Sequence, residues 1–315
     1  MDQRINRLKQ DLSDQGLGNV VVINTGKQLD DSWYPKYLEA ASSLAFAELD
    51  RLVSFFEISN DITIELELSD SNDVKAFVKK KNSTYSIFIS EGISKRAYLA
   101  ALGFLSNNVF SQVISKNIYQ KSDENIAVKL IIDIMLISIH FTLVHEFLHI
   151  ALGHLDYLYS EHGINTLFEN QSNPAFNHLI QQAIEVQSDL VSASLIAKTN
   201  RYNDFVFGMG VTVFLDTFNY FRLDIDEYQD KSHPHPLTRL LNLYSAYYTD
   251  SGKIENDSEQ FNEGTLLALR SFEHYNDGLL FNPSNPSRFT IEQQFNIARN
   301  DSDKIGSMYG FQGGT

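Results

Sequence analysis

Apolar residues recur along this chain with two periods, and each predicts a different element. Over 37–56, Leu38, Ala41, Leu44, Ala45, Ala47, Leu52 and Phe55 are spaced mostly by three or four, which predicts a helix with one buried face. Ile62–Leu68 alternates apolar and charged residues, the pattern of a half-buried strand. Val74–Val78 and Thr84–Ser90 read as two further strands. Asp70-Ser71-Asn72-Asp73 supplies one turn, and Lys79-Lys80-Lys81-Asn82 a solvated second one. The prediction is a small antiparallel sheet. Ahead of it, residues 1–18 read as a charged amphipathic helix and Val20–Ile23 as a short strand.

Beyond the sheet the period becomes helical. Ser94–Ser115 is one such stretch, and a longer one from about 125 to 155 follows the N-cap candidate Ser122-Asp123. Its most apolar part, Leu130–Val144, is 15 residues long and carries Asp133 and His140. That is short of the ~20 apolar residues a membrane span needs, so a buried core helix is expected. Asp133 and His140 lie seven apart and predict a polar seam against the sheet or solvent. Gly153-His154 is the expected end of this helix, and 157–175 an irregular connection with His162 at the surface. Helices are expected again over Phe176–Lys198, over 205–221 with a close-packing Gly-Met-Gly, from near Leu237, and across most of 254–300. The predicted organisation is α+β and mainly helical: a lobe over 1–121 holding the sheet, a helical lobe over 122–306, and a loose glycine-rich tail over 307–315. The two lobes are expected to integrate into one catalytic domain.

Composition narrows the chemistry. The chain has 315 residues, 43% hydrophobic and 21% charged, an ordinary globular balance. Its net charge of −15 argues against nucleic acid or an anionic membrane as partner. There is no cysteine, so a metal site must use His and carboxylate, and a thiol nucleophile is excluded. The first residues lack the apolar core of a signal peptide, which predicts a cytoplasmic protein without a membrane span. No G-x-S-x-G and no Walker loop occurs.

The central helix carries His145-Glu146-Phe147-Leu148-His149. Residues four apart share a helix face, so both imidazoles can reach one Zn²⁺ while Glu146 stands beside it as a base for water. His154 lies nine residues after His145, about half a turn round a straight helix, and is expected to point away and not to ligate. The longer HExxHxxGxxH pattern is also absent, since Leu152 and Leu155 hold its later positions. On the 176–198 helix, Glu185 and Asp189 are like charges at i,i+4, which repel on a free helix. Solvent exposure, a proton or a cation would offset that cost. Finally, Ser232-His233-Pro234-His235-Pro236 displays two histidines on an extended, proline-stiffened turn.

HEFLH, then EVQSD, then SHPHPLTR resembles, in order, the HExxH, ExxxD and HPxxxxR motifs of gluzincin metallopeptidases. Among these it is most similar to the CAAX prenyl protease and HtpX group, which also frequently carries a further His five residues after the second ligand, here His154. The strand pair before the helix is weakly similar as well. The likeness covers roughly 62–245. It implies a zincin-like fold in which the HExxH helix packs on the sheet, and Zn²⁺ bound by His145, His149 and Glu185. Glu146 would be general base and acid. Asp189 would hydrogen-bond a ligand imidazole, and Arg239 would help hold the site together. His233, six residues before Arg239, matches the family's histidine near the substrate carbonyl, with His235 the competing candidate. Those relatives are usually membrane-embedded and this chain is not expected to be, so a soluble offshoot is implied. Lit-type phage-exclusion peptidases, cytoplasmic HExxH proteases, are a second likeness without a residue-by-residue match. The expected activity is hydrolysis of peptide bonds in an intracellular protein or peptide through a zinc-activated water and Glu146. The rival expectation is a zinc-containing regulatory or interaction module without turnover, against which the intact Glu146 counts.

Overall fold

A computed structural model of the chain describes residues 33–105, 126–168, 178–199, 201–218 and 233–249, together with 264, 265 and 268. The elements expected over 1–18 and 20–23, the N-cap at 122–123, the tail over 307–315 and nearly all of 254–300 lie outside these residues. In order, the chain forms helix α1 (Trp33–Phe55), strands β1 (Thr63–Ser69), β2 (Ala76–Lys81) and β3 (Thr84–Ser90), and helix α2 (Glu91–Leu105). Helices α3 (Ile126–Ala151) and α4 (His154–His162), strand β4 (Thr166–Phe168), and helices α5 (His178–Lys198), α6 (Asp204–Thr217) and α7 (Pro236–Thr249) follow. The fold is mixed α/β, mostly helical, with one four-stranded sheet.

Helix α3 is the axis of the molecule. It packs against α1, α2, α5 and α6 and lies across β2 and β3. Its apolar window, Lys129–Ala151, is 23 residues long, so by length and composition it could cross a membrane, contrary to the shorter stretch expected above. Yet an 18-residue window within it is 83% buried inside the fold, which explains why apolar residues cover all its sides. The Gly-Met-Gly of α6 serves this packing: a Cβ on Gly210 would collide with Ile137 of α3.

The sheet order is β1-β3-β2-β4, and β1 runs parallel to β3, so the sheet is mixed and not antiparallel. Residues 70–73, expected as a turn, and 74–75, expected in the next strand, instead carry the chain across the end of β3. Six residues span two strand spacings of ~4.8 Å comfortably. The crossover is tied down where β3 becomes α2. Gly92 donates its N–H to the Ser71 carbonyl at 2.9 Å, and Lys75 N–H donates to Ser90 Oγ at 2.9 Å. A Cβ at Gly92 would run into the carbonyls of Asn72 and Asp73. The lysines placed in a turn are the end of β2. The turn proper is Asn82-Ser83, with Asn82 at φ 57°, a conformation asparagine tolerates. Nor is 157–175 irregular throughout: α4 is followed by β4, which pairs with Phe77–Lys79, while His162 is exposed as expected.

Helix α1 buries Tyr37, Ala41, Ala45, Glu48, Leu49 and Leu52, spaced by three or four, whereas Ala47 and Phe55 of the expected face are exposed. Glu48 is inside because α3 offers it a partner. His140 Nε2 lies 3.1 Å from its carboxylate, Arg51 grips the same carboxylate through Nε at 3.0 Å, and His140 Nδ1 is 3.1 Å from the Tyr202 hydroxyl. In place of the expected polar seam, His140 is fully buried in a clamp between α1, α3 and the turn before α6.

Burial alone would raise the Glu48 carboxyl, but hydrogen bonds from His140 and Arg51 outweigh it and hold it at about 2. Burial pushes His140 below its ordinary value, against the opposite pull of Glu48. Both groups bind fewer protons folded than unfolded. Stability is therefore fullest above the unfolded values and falls as pH drops, first through 6.5 for His140, then from 4.5 towards 2 for Glu48. Glu48→Gln should flatten the lower limb of urea midpoints measured from about pH 7 to pH 3. An unchanged slope below pH 4.5 would reassign the acid lability to other carboxyls.

Candidate metal centre

The site is assembled from three helices. His145 and His149 project from α3 one turn apart, Glu185 from the second turn of α5, and His233 from the segment leading into α7. His145 Nε2 lies 3.1 Å from His149 Nε2 and 3.0 Å from Glu185 Oε2, and His149 Nε2 lies 3.7 Å from Glu185 Oε1. Donor atoms ~2.0–2.1 Å from one tetrahedral ion stand ~3.3 Å apart, so these spacings fit a single small cation. Two imidazole nitrogens and a carboxylate oxygen are also a donor set that borderline divalent metals favour. Among the described residues, His145, His149 and Glu185 form a group able to hold a metal ion.

Each ligand candidate is itself held. Asp189 Oδ1 faces His145 Nδ1 at 3.0 Å. A carboxylate can only accept there, so a hydrogen bond between them needs the proton on Nδ1, and that tautomer leaves the Nε2 lone pair for a cation. Arg239 in turn grips Asp189 with two bonds, Nε to Oδ2 at 2.6 Å and Nη2 to Oδ1 at 2.9 Å. Its guanidinium also lies over the Phe214 ring of α6, 5.6 Å from the centroid. Neither Asp189 nor Arg239 has any exposed side-chain surface. His233 Nε2 stands 3.2 Å from Glu185 Oε2. Burial opposes ionisation of Glu185, but the neighbouring imidazoles of His233, His149 and His145 outweigh it and hold it well below the usual carboxylate range.

His145, His149, Glu185, Asp189, Arg239 and His233 therefore converge within hydrogen-bond reach of one another. Glu146 is buried next to His145 on α3. His235 is buried as well, and its carbonyl accepts the Arg239 backbone N–H at 3.0 Å in the first turn of α7. The proline context does this locally: Pro236 opens α7, where a missing N–H costs nothing.

One expectation fails. His154 does not point away, because α3 ends at Ala151 and Gly153 takes a left-handed φ of 73°, which turns the chain back. His154 Nδ1 comes to 3.2 Å from His149 Nδ1, and its Nε2 to 2.9 Å from Gln187 Oε1 of α5. Ser188 Oγ sits 3.5 Å from His149 Nδ1 and 3.4 Å from His154 Nδ1. Burial lowers the pKa of His154, partly countered by the Gln187 hydrogen bond. His154 thus contacts a ligand candidate from the side away from the cluster. Sequence reasoning missed Gln187 and Ser188. For Ser188 the available signal was the run of polar residues 181, 185, 188, 189 and 192, a stripe too regular for an otherwise buried helix; Gln187 lies off that stripe.

No family model, no curated protein and no solved structure matches this chain.

Arg239→Met would leave the Asp189 carboxylate buried without its cation. Breaking such a pair costs about 3–5 kcal/mol, so urea unfolding should shift by that much. The double variant Asp189→Asn with Arg239→Met should recover a large part of the loss. Equal stability of Arg239→Met and wild type would show that the pair does not anchor α7.

Proposed function

We propose that the chain is a zinc-dependent metallopeptidase with a zincin-like catalytic core, acting in the cytoplasm on a protein or peptide. The observation that carries this reading is the convergence of His145, His149 and Glu185 donor atoms at 3.0–3.7 Å, with Glu146 adjacent on the same helix. The gluzincin-like order of HExxH, ExxxD and HPxxxxR supports it.

A Zn²⁺ held there would supply Lewis acidity and bring the pKa of water to around 7. The residues of the chain do the rest. Glu146 takes a proton from the attacking water and returns it to the leaving amine. His233, beside Glu185, donates to the substrate carbonyl oxygen as charge develops on it. Asp189 and Arg239 keep His145 in one orientation and tautomer throughout.

A second reading, a metal-bearing regulatory module without turnover, draws on a different observation. His145, Glu146, His149 and Glu185 are all at most 2% exposed, so a peptide reaches Glu146 only after part of the chain moves. Turnover decides between the two. The purified protein should bind about one zinc per chain. Glu185→Ala should lower metal content, and Glu146→Gln should retain zinc while abolishing the cleavages found by N-terminal profiling of expressing cells. Full zinc occupancy with both His145→Ala and His149→Ala would refute the metal assignment. Identical cleavage profiles for wild type and Glu146→Gln would favour the second reading.

The two histidines of the His-Pro-His-Pro turn should separate kinetically. His233→Ala is expected to lower kcat by ~10²–10³ with zinc retained. His235→Ala should act mainly on KM. The opposite ranking in a peptide assay would exchange their roles.

A further inference from the structure

We propose that Gln187 and His154 are positioning residues that order protons along the row Gln187–His154–His149 and hold His149 in the tautomer able to ligate a cation. The inference rests on the metal-site reading above. It starts from the edge of His149 turned away from Glu185, where its Nδ1 meets His154. What stands there is a neutral row.

The row takes its direction from the amide oxygen that Gln187 turns towards it. Gln187 Oε1 lies 2.9 Å from His154 Nε2, so that nitrogen carries the hydrogen. A neutral imidazole protonated at Nε2 has a bare Nδ1. That bare nitrogen is 3.2 Å from His149 Nδ1, which must then be the donor. With its hydrogen on Nδ1, His149 presents the Nε2 lone pair towards His145 and Glu185. Ser188 Oγ, at 3.5 and 3.4 Å from the two Nδ1 atoms, can donate or accept and so follows the row without setting it. Reversal would put a hydrogen on His149 Nε2, facing the place a cation must occupy. Gly153 makes the arrangement reachable, since its left-handed φ brings His154 back against α3 one turn after His149.

The test uses the full chain labelled with ¹⁵N-histidine and kept metal-free near pH 8, where two-bond ¹H–¹⁵N correlations report each ring's tautomer. His149→Gln and His154→Gln identify the signals. The expected result is His154 with hydrogen on Nε2 and His149 with hydrogen on Nδ1; the reverse for either ring overturns the proposal. A second arm measures affinity for Zn²⁺ by chelator competition. His154→Ala and Gln187→Leu should each weaken it by ~10–100-fold, the usual cost of losing such support. Gln187→Glu, which still offers an acceptor oxygen, should rescue wild-type affinity, whereas Gln187→Lys, a donor, should not. A packing role for Gln187 predicts the contrary order, with the apolar Leu tolerated and the charged Glu not, and that order overturns the proposal. Should the wild type take up no zinc while both tautomers are as expected, the proton row stands and the metal reading above fails.

Discussion

The buried pair of Arg239 and Asp189 is the constraint on which the rest of the site depends. Removing two full charges from water is costly, and it succeeds only with good geometry and with every remaining donor and acceptor engaged. Here the two parallel bonds supply the geometry, and His145 uses the carboxylate oxygen that faces it. One pair thereby fixes three things: the approach of α7 to α5, the tautomer of His145, and the position of His233, six residues before Arg239. Phe214, under the guanidinium, extends the same constraint to α6. An imidazole held this way loses little entropy on binding a ligand, which is the physical value of building the support into the core.

Much of this was legible from spacing. His145 and His149 at i,i+4 and Glu185 and Asp189 at i,i+4 are periodicities that survive folding, because each lies within a single helix. Some helix ends were legible for the same reason, as with α5 ending at Lys198. The sheet was less so. Alternation reveals that Ile64, Leu66, Ile87 and Ile89 belong to strands, but it carries no information on which strand lies beside which. The crossover of 70–75 over β3 depends on contacts to Ser90 and Gly92, and these are long-range. Glu48 was illegible because a carboxylate in an amphipathic pattern reads as surface. Its burial depends on a histidine 92 positions away, 140 minus 48.

His154 shows the limit most clearly. The rule that nine residues make half a turn holds only while the helix continues. A glycine near the end of an apolar pattern marks a stop, but the sequence does not say which way the chain then turns. At Gly153 it enters the left-handed region, a conformation nearly free for glycine and costly for other residues. That one torsion carries His154 from the far side of the helix to the flank of His149.

The same supports bear on how a substrate could enter. Opening by separation of α3, α5 and α7 would break the Arg239–Asp189 pair and the His145–Asp189 contact together. Parting the ion pair alone costs about 3–5 kcal/mol, a large fraction of the stability of an ordinary domain. It would also disperse the donor atoms that make the site useful, so an opened site of that kind would lose its cation as it gained its substrate. For the peptidase proposed above, access to Glu146 therefore has to leave the donors and their supports in place.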